Sequence, residues 1–145
     1  MSPLPLSVGV DLVEIPRIRR ALERWGDRFL QRVYTPAEIA HCRGRAPELA
    51  VRFAAKEAIS KALGLGIWWR GGIAWHEAEV KPDRLGKPEV VLHGRAAKRA
   101  CALGLDQWAI SLSHSDDNAI AMDGGRTGRR SPELGVNPAR HWSVY

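Results

Sequence analysis

The chain has 145 residues, a formal net charge of +6 and a hydrophobic fraction of 45%, which together predict one globular domain with a core of its own. No apolar run approaches the roughly 18 residues of a membrane span, and the N-terminal stretch lacks the basic region of a secretory signal. We therefore expect a cytoplasmic protein with no membrane partner. The positive charge indicates an acidic partner, either a nucleic acid, a phosphorylated small molecule or an acidic protein, and charge alone does not distinguish these.

The first predicted element is a strand over residues 7–13, because its side chains alternate between two faces. One face carries Val8, Val10 and Leu12, and the other carries Gly9, Asp11 and Val13. Asp11 is the exception in this pattern, since aspartate is disfavoured inside strands. A role in chemistry and a role in capping the next turn both explain it.

A helical period follows from Ile15 to Trp25. One face of this helix is an apolar stripe made of Ile15, Ile18, Leu22 and Trp25. A second face carries Arg17, Arg20 and Arg24. Charges of one sign at this spacing repel mildly, which favours a binding face for an acidic partner, although a solvated surface has the same pattern.

Two further helices are predicted before residue 64. Thr35-Pro36-Ala37-Glu38 has the hydroxyl, proline and glutamate of a capping box, which opens a short helix through about His41. A central helix then runs from about Glu48 to Leu63 and is stopped by Gly64.

The central helix carries charged residues inside a pattern that otherwise predicts close packing on its neighbours. Glu57, Ser60 and Lys61 lie on one stripe, and Arg52 and Lys56 lie on an adjacent one. An ordinary surface pair between Glu57 and Lys61 is the alternative explanation.

The rest of the chain predicts an α+β fold with a mainly antiparallel sheet packed against the central helix. Trp68 and Trp69 lie in a glycine-punctuated loop, where they predict either contact with a partner, a subunit or a ligand, or core packing of one tryptophan. The later patterns predict a strand over 73–80, a turn over 82–88, a strand over 89–92, a helix over 94–103 and strands over 108–114 and 119–122. We expect one domain over residues 1–123 and a flexible extension over 124–145.

Three stretches, in this order, resemble the phosphopantetheinyl transferases and, among them, the short holo-acyl-carrier-protein synthases. They are Gly9 to Ile15, GVDLVEI; Arg52 to Gly66, RFAAKEAISKALGLG; and Trp108 to Ala121, WAISLSHSDDNAIA. The Leu85-Gly86-Lys87-Pro88 turn corresponds as well. The resemblance covers residues 8–122.

The resemblance implies transfer of the phosphopantetheine arm of coenzyme A to a serine of an acyl carrier protein, with release of adenosine 3',5'-bisphosphate. It implies that Asp11 and Glu57 hold Mg²⁺, and that Glu57, Lys61 and His114 act at the reacting phosphates. It further implies a set of coenzyme A contacts, namely Arg52, Lys56, Ser60, Lys61, Gly86, Pro88 and His114.

Val13 marks the type within this family, because larger monomeric members resemble D-x-E at the first motif and this chain lacks the second acid. Water would fill that coordination position, and the short type implies a homotrimer with its site between subunits. Arg17, Arg20 and Arg24 are then expected to dock the acidic helix of the carrier protein.

The alternative from another class is a nucleic-acid-binding domain that uses the same helix together with Arg126, Arg129 and Arg130. The aromatic residues are not interleaved with these arginines, as a stacking platform requires. We therefore expect no nucleic-acid partner.

Overall fold

The structure is a computed structural model, and it describes residues 6–67 and 70–128. The predicted roles of Trp68 and Trp69, and the predicted extension from residue 129 onwards, lie outside the described residues. The elements in chain order are β1 (Leu6–Glu14), α1 (Ile15–Trp25), α2 (Asp27–Val33), α3 (Pro36–Cys42), α4 (Ala46–Ala62), a 3-10 turn (Trp75–Glu77), β2 (Ala78–Pro82), β3 (Pro88–Leu92), α5 (Gly94–Ala102), β4 (Gln107–His114) and β5 (Asn118–Arg126).

The strands form two antiparallel sheets, one with the order β1-β5-β4 and one made of β2 and β3. This arrangement confirms the predicted α+β class. β5 runs to Arg126, so the domain boundary expected at residue 123 falls inside a strand. No helix in the described ranges is both long and apolar enough to span a membrane.

Helix α4 lies at the centre of the fold, because twelve of its 17 residues are buried. It packs on one face of the three-stranded sheet, which we call the inner face. The buried residues that alternate along this face are Gly9 and Val13 of β1 and Ala119, Ala121, Asp123 and Gly125 of β5. The opposite, outer face carries exposed apolar side chains.

Several elements were predicted correctly from local sequence patterns. Helix α1 has the predicted bounds, and α3 begins with the predicted capping box. Thr35 N donates to Glu38 Oε1 at 2.8 Å, and Glu38 N donates to Thr35 Oγ1 at 3.3 Å. Trp25 differs from its predicted place in the apolar stripe of α1, because its side chain is 50% exposed and Arg24 covers its ring.

Two features were not predicted correctly. The strand expected over 73–80 begins only at Ala78, because the Glu77 carboxylate accepts a hydrogen bond from Ala74 N at 3.0 Å and folds the preceding residues into a 3-10 turn. Helix α2 was absent from the prediction. It is only seven residues long, and one of these, Val33, is buried.

Candidate active site

The floor of the candidate site is the contact between β1 and α4. A Cβ atom placed on Gly9 would lie only 1.9 Å from the backbone oxygen of Ala58. Ser7 Oγ donates a hydrogen bond to the backbone oxygen of Ala62 at 2.6 Å. Only glycine at position 9 permits this approach, and it brings β1 against the two turns of α4 that carry Glu57 and Lys61.

Lys61 and Asp11 meet across this contact. Lys61 Nζ donates to Asp11 Oδ1 at 2.9 Å and to the backbone oxygen of Val10 at 3.0 Å. The lysine side chain is 54% exposed and the aspartate side chain 19%. The pair therefore lies at the edge of the contact, where a ligand from solvent can reach it.

Glu57 belongs to the same cluster. Burial raises the pKa of its carboxyl group, and the negative charge of Asp11 raises it further, while Lys61 and Arg17 lower it. The two carboxylates are thus close enough to repel each other, and Arg17 of α1 is close enough to oppose that effect. We call Asp11, Glu57 and Lys61 the acidic cluster site.

Asp11 and Glu57 are the residues of this site that could hold a metal ion. Within residues 6–67 and 70–128, no group of three or more His, Cys, Asp or Glu side chains could do so. Two carboxylates nevertheless fit Mg²⁺, which proteins usually bind through one or two carboxylates together with water and substrate phosphates. A divalent cation would also relieve the repulsion that raises the pKa of Glu57.

The side chains of Ser60 and Arg52 are buried and form hydrogen bonds within their own helix. Ser60 is buried, and its Oγ donates to the backbone oxygen of Glu57 at 2.7 Å. Arg52 is also buried, and its Nη1 donates to the carboxylate of Glu48 at 3.0 Å and to the backbone oxygen of Glu48 at 3.2 Å. In the described part of the chain, neither side chain therefore bonds to the carboxylate groups or the ammonium group of the acidic cluster site.

Lys56 lies fully inside the protein. Its Nζ donates to Glu38 Oε1 at 2.8 Å, to the backbone oxygen of Ala78 at 2.8 Å and to that of Trp75 at 3.1 Å. An ammonium group has three hydrogens, so none is left for a phosphate oxygen. The structure therefore does not support the predicted contact between Lys56 and coenzyme A.

The remaining predicted residues lie on other elements. Gly86 and Pro88 belong to the turn and start of β3, in the second sheet. His114 is the exposed last residue of β4 and pairs with Ala119 of β5. In the described part of the chain, no hydrogen bond or ion pair joins these three residues to the acidic cluster site.

Comparison with known proteins decides the family. Residues 7–122 match the family model of the 4'-phosphopantetheinyl transferase superfamily.

The chain belongs to the 4'-phosphopantetheinyl transferase superfamily.

Two curated relatives of this transferase are named holo-[acyl-carrier-protein] synthase. The protein of Herpetosiphon aurantiacus is 53% identical over 121 residues, which are 81% of this chain and 95% of the relative. That of Koribacter versatilis is 48% identical over 119 residues, or 80% of this chain and 94% of the relative.

Solved structures of holo-[acyl-carrier-protein] synthases have the same fold as this transferase. The Neisseria meningitidis enzyme has a TM-score of 0.74 at 33% identity and covers 83% of this chain and 98% of its own. The Helicobacter pylori enzyme, solved in complex with coenzyme A, has a TM-score of 0.71 at 29% identity and covers 80% and 96%.

Sequence reasoning missed the partners of Lys56 in this transferase. Glu38 was predicted only as a capping residue, yet its carboxylate also accepts from Lys56 Nζ and, at 3.0 Å, from Val80 N. Thr35 Oγ1 extends the network by donating to Glu79 at 2.5 Å. The sequence contained one indication of these partners, because a lysine inside a buried helix requires a buried acid elsewhere in the chain.

Proposed function

We propose that this transferase is a holo-acyl-carrier-protein synthase. It moves the phosphopantetheine arm of coenzyme A to a serine of an apo acyl carrier protein and releases adenosine 3',5'-bisphosphate. The observation that carries this proposal is the acidic cluster site, in which Asp11, Glu57 and Lys61 meet at a partly exposed edge. Transfer from coenzyme A to a purified apo carrier protein tests it. The cytoplasmic location predicted from the sequence is part of the same proposal.

The reaction exchanges one phosphorus–oxygen bond for another. The serine oxygen of the carrier bonds to the phosphorus that bears the pantetheine arm, and the bond from that phosphorus to the 5'-phosphate oxygen of the nucleotide breaks. The proton of the serine hydroxyl is released to solvent, and the electron pair of the broken bond remains on the leaving phosphate, where negative charge accumulates. Positioning and charge stabilisation are the main requirements of such a transfer.

Each residue of the acidic cluster site has a role in this proposal. Asp11 and Glu57 hold Mg²⁺, which when bound neutralises charge on the pyrophosphate. Lys61 presents an ammonium group to the leaving phosphate, for which its exposed position is suitable. His114 is proposed to act on the same phosphate, and Gly86 and Pro88 to form the wall beside the nucleotide.

The outer face of the three-stranded sheet supports the proposed homotrimer. Six large apolar side chains are exposed on β1 and β5, and the strand register places them side by side: Leu6, Val8, Val10, Leu12, Ile120 and Met122. A contiguous apolar patch of this kind marks an interaction surface. Assembly through it is consistent with a site shared between subunits, since within residues 6–67 and 70–128 no hydrogen bond or ion pair joins His114 to the acidic cluster site.

Charge on the outer face is expected to break the trimer. Val8 and Leu12 are each more than 60% exposed in the single chain, so lysine at both positions leaves the fold intact while it places charges in the proposed interface. Light scattering is expected to give a trimer for the native chain and a smaller species for the double variant. Leu85→Lys is the control, because Leu85 is 94% exposed on the β2–β3 turn. A monomer mass for an active native preparation would contradict the shared site.

Helix α1 is proposed to dock the acidic helix of the carrier protein, which is of the fatty-acid or the polyketide type. Arg17, Arg20 and Arg24 are exposed on one side of its buried stripe. Arg17 is also close enough to Glu57 to lower the pKa of that residue. The basic face therefore borders the acidic cluster site, where the incoming serine must arrive.

Reversing charge on α1 is expected to weaken carrier binding selectively. Arg20→Glu is the informative variant, because Arg17 also acts on Glu57 and its reversal would disturb the site itself. We expect a rise in KM for the carrier protein of about tenfold, little change in KM for coenzyme A and a weaker dependence on salt. Arg19→Glu is the matched control, because Arg19 is exposed on the same helix but outside the stripe. Equal effects of the two variants would exclude this docking face.

A further inference from the structure

Asp123 is a buried acid that the proposed reaction does not use. It lies on the inner face of β5, between Gly9 of β1 and Ile110 of β4 in the strand register. It is only 2% exposed. Neither of its carboxylate oxygens has a hydrogen-bond partner among the residues that the structure describes.

The neighbours of Asp123 close it off from water. On one side, the indole of Trp108 lies across Gly125 so closely that a Cβ atom there would be 2.9 Å from the ring. Helix α4 covers the face at Gly9, where its backbone lies against the strand. The carboxyl group is therefore held in an apolar compartment between α4 and the sheet.

Among residues 6–67 and 70–128, no charged group offsets the burial of Asp123. The β4 residues beside Asp123 on the inner face are Trp108, Ile110 and Leu112, none of which ionises. The charged groups at the interface between α4 and the sheet are Asp11 of β1 and Glu57 and Lys61 of α4. Lys61 pairs with Asp11 at the exposed edge of this interface, and Glu57 is close enough to both for their charges to shift its pKa. Burial alone raises the pKa of Asp123, to about 8.

We propose that protonation of Asp123 controls how tightly α4 packs on the three-stranded sheet. The folded chain keeps this carboxyl group protonated and neutral, and loss of the proton loosens the packing of α4. An ionised carboxylate without a partner is costly in such a compartment. This inference does not depend on the proposed function.

The direction of the pH effect follows from linkage. The pKa of Asp123 is about 8 in the folded chain, whereas an unfolded aspartate has a pKa of about 3.9. The contribution of Asp123 to stability is thus fully present below about pH 4 and is lost progressively until the pH reaches about 8. Above that value both states are ionised and the loss is complete.

Thermal unfolding of the native chain and of Asp123→Asn tests this proposal. Asparagine keeps the shape of the side chain but cannot ionise. We expect the two Tm values to be similar near pH 4 and to separate as the pH rises, until the variant is the more stable by roughly 15 to 20 °C near pH 8. Asp116→Asn is the control, because Asp116 is exposed in the β4–β5 turn, and its Tm should follow that of the native chain at every pH.

A measurement on the native chain tests the proposal even if the Asp123→Asn variant folds poorly. With aspartate labelled at its side-chain carboxyl carbon, NMR is expected to show one resonance that titrates near pH 8 while the others titrate in acid. The proposal is overturned if every aspartate resonance titrates in acid. It is also overturned if the Tm curves of the native chain and Asp123→Asn stay parallel between about pH 4 and about pH 8.

Discussion

Replacing Glu57 by glutamine is expected to lower kcat by about two to three orders of magnitude, which is the usual loss on removal of one electrostatic stabiliser of a transition state. Glutamine has nearly the same shape, so the fold should persist, but it carries no charge for Mg²⁺. Asp11→Asn should have a similar effect and should still accept the hydrogen bond from Lys61. Titration calorimetry is expected to show weakened Mg²⁺ binding in both variants.

Glu48→Gln is the matched control for this result, because Glu48 lies on the same helix and pairs with Arg52, away from the acidic cluster site. It should retain native turnover and Mg²⁺ affinity. The metal assignment is wrong if Glu57→Gln and Asp11→Asn both keep near-native turnover at low Mg²⁺ concentration.

Replacing Lys56 by methionine is expected to lower the free energy of unfolding by about 3 to 5 kcal/mol. The reason is that Glu38 would remain buried without its cation, since both side chains of the pair are 0% exposed. The backbone oxygens of Trp75 and Ala78 would lose their donor at the same time. Urea unfolding followed by circular dichroism gives the change directly.

The double variant Glu38→Gln/Lys56→Met separates the charge from the rest of the network. Glutamine removes the buried charge and keeps an oxygen for the backbone N–H groups of Thr35 or Val80, so part of the lost stability should return. A Lys56→Met protein with native stability and reduced affinity for coenzyme A would show that Lys56 is a ligand residue and not part of the core.

Elements that depend on local signals could be predicted from the sequence. Helix α1 follows from its 3.6-residue period, and α3 follows from the reciprocal hydrogen bonds of Thr35 and Glu38. Asp11 and Glu57 stood out for a related reason, because a strand and a packed helix each carried an acid where apolar residues are favoured. The structure brings both of them, with Lys61, into one cluster.

Features that depend on contacts between distant residues could not be predicted in this way. The 3-10 turn replaces a predicted strand because of the Glu77 carboxylate, which also accepts from Arg95 N at 3.3 Å, 18 residues further along the chain. The partner of Lys56 is likewise 18 residues away, on α3. Asp123 had been placed at the boundary of the domain, and only the pairing of β5 with β1 and β4 shows that it is buried.

The mass of an intact apo acyl carrier protein after incubation with this chain, coenzyme A and Mg²⁺ is the most direct test of the proposed function. We expect the carrier to gain the mass of one phosphopantetheine group at its serine, with one adenosine 3',5'-bisphosphate released for each group transferred. Omission of Mg²⁺ or use of Glu57→Gln should leave the carrier unmodified on the same time scale. The proposal would be contradicted if the mass of the carrier stayed unchanged while the chain bound DNA or RNA with a steep salt dependence and did not bind coenzyme A.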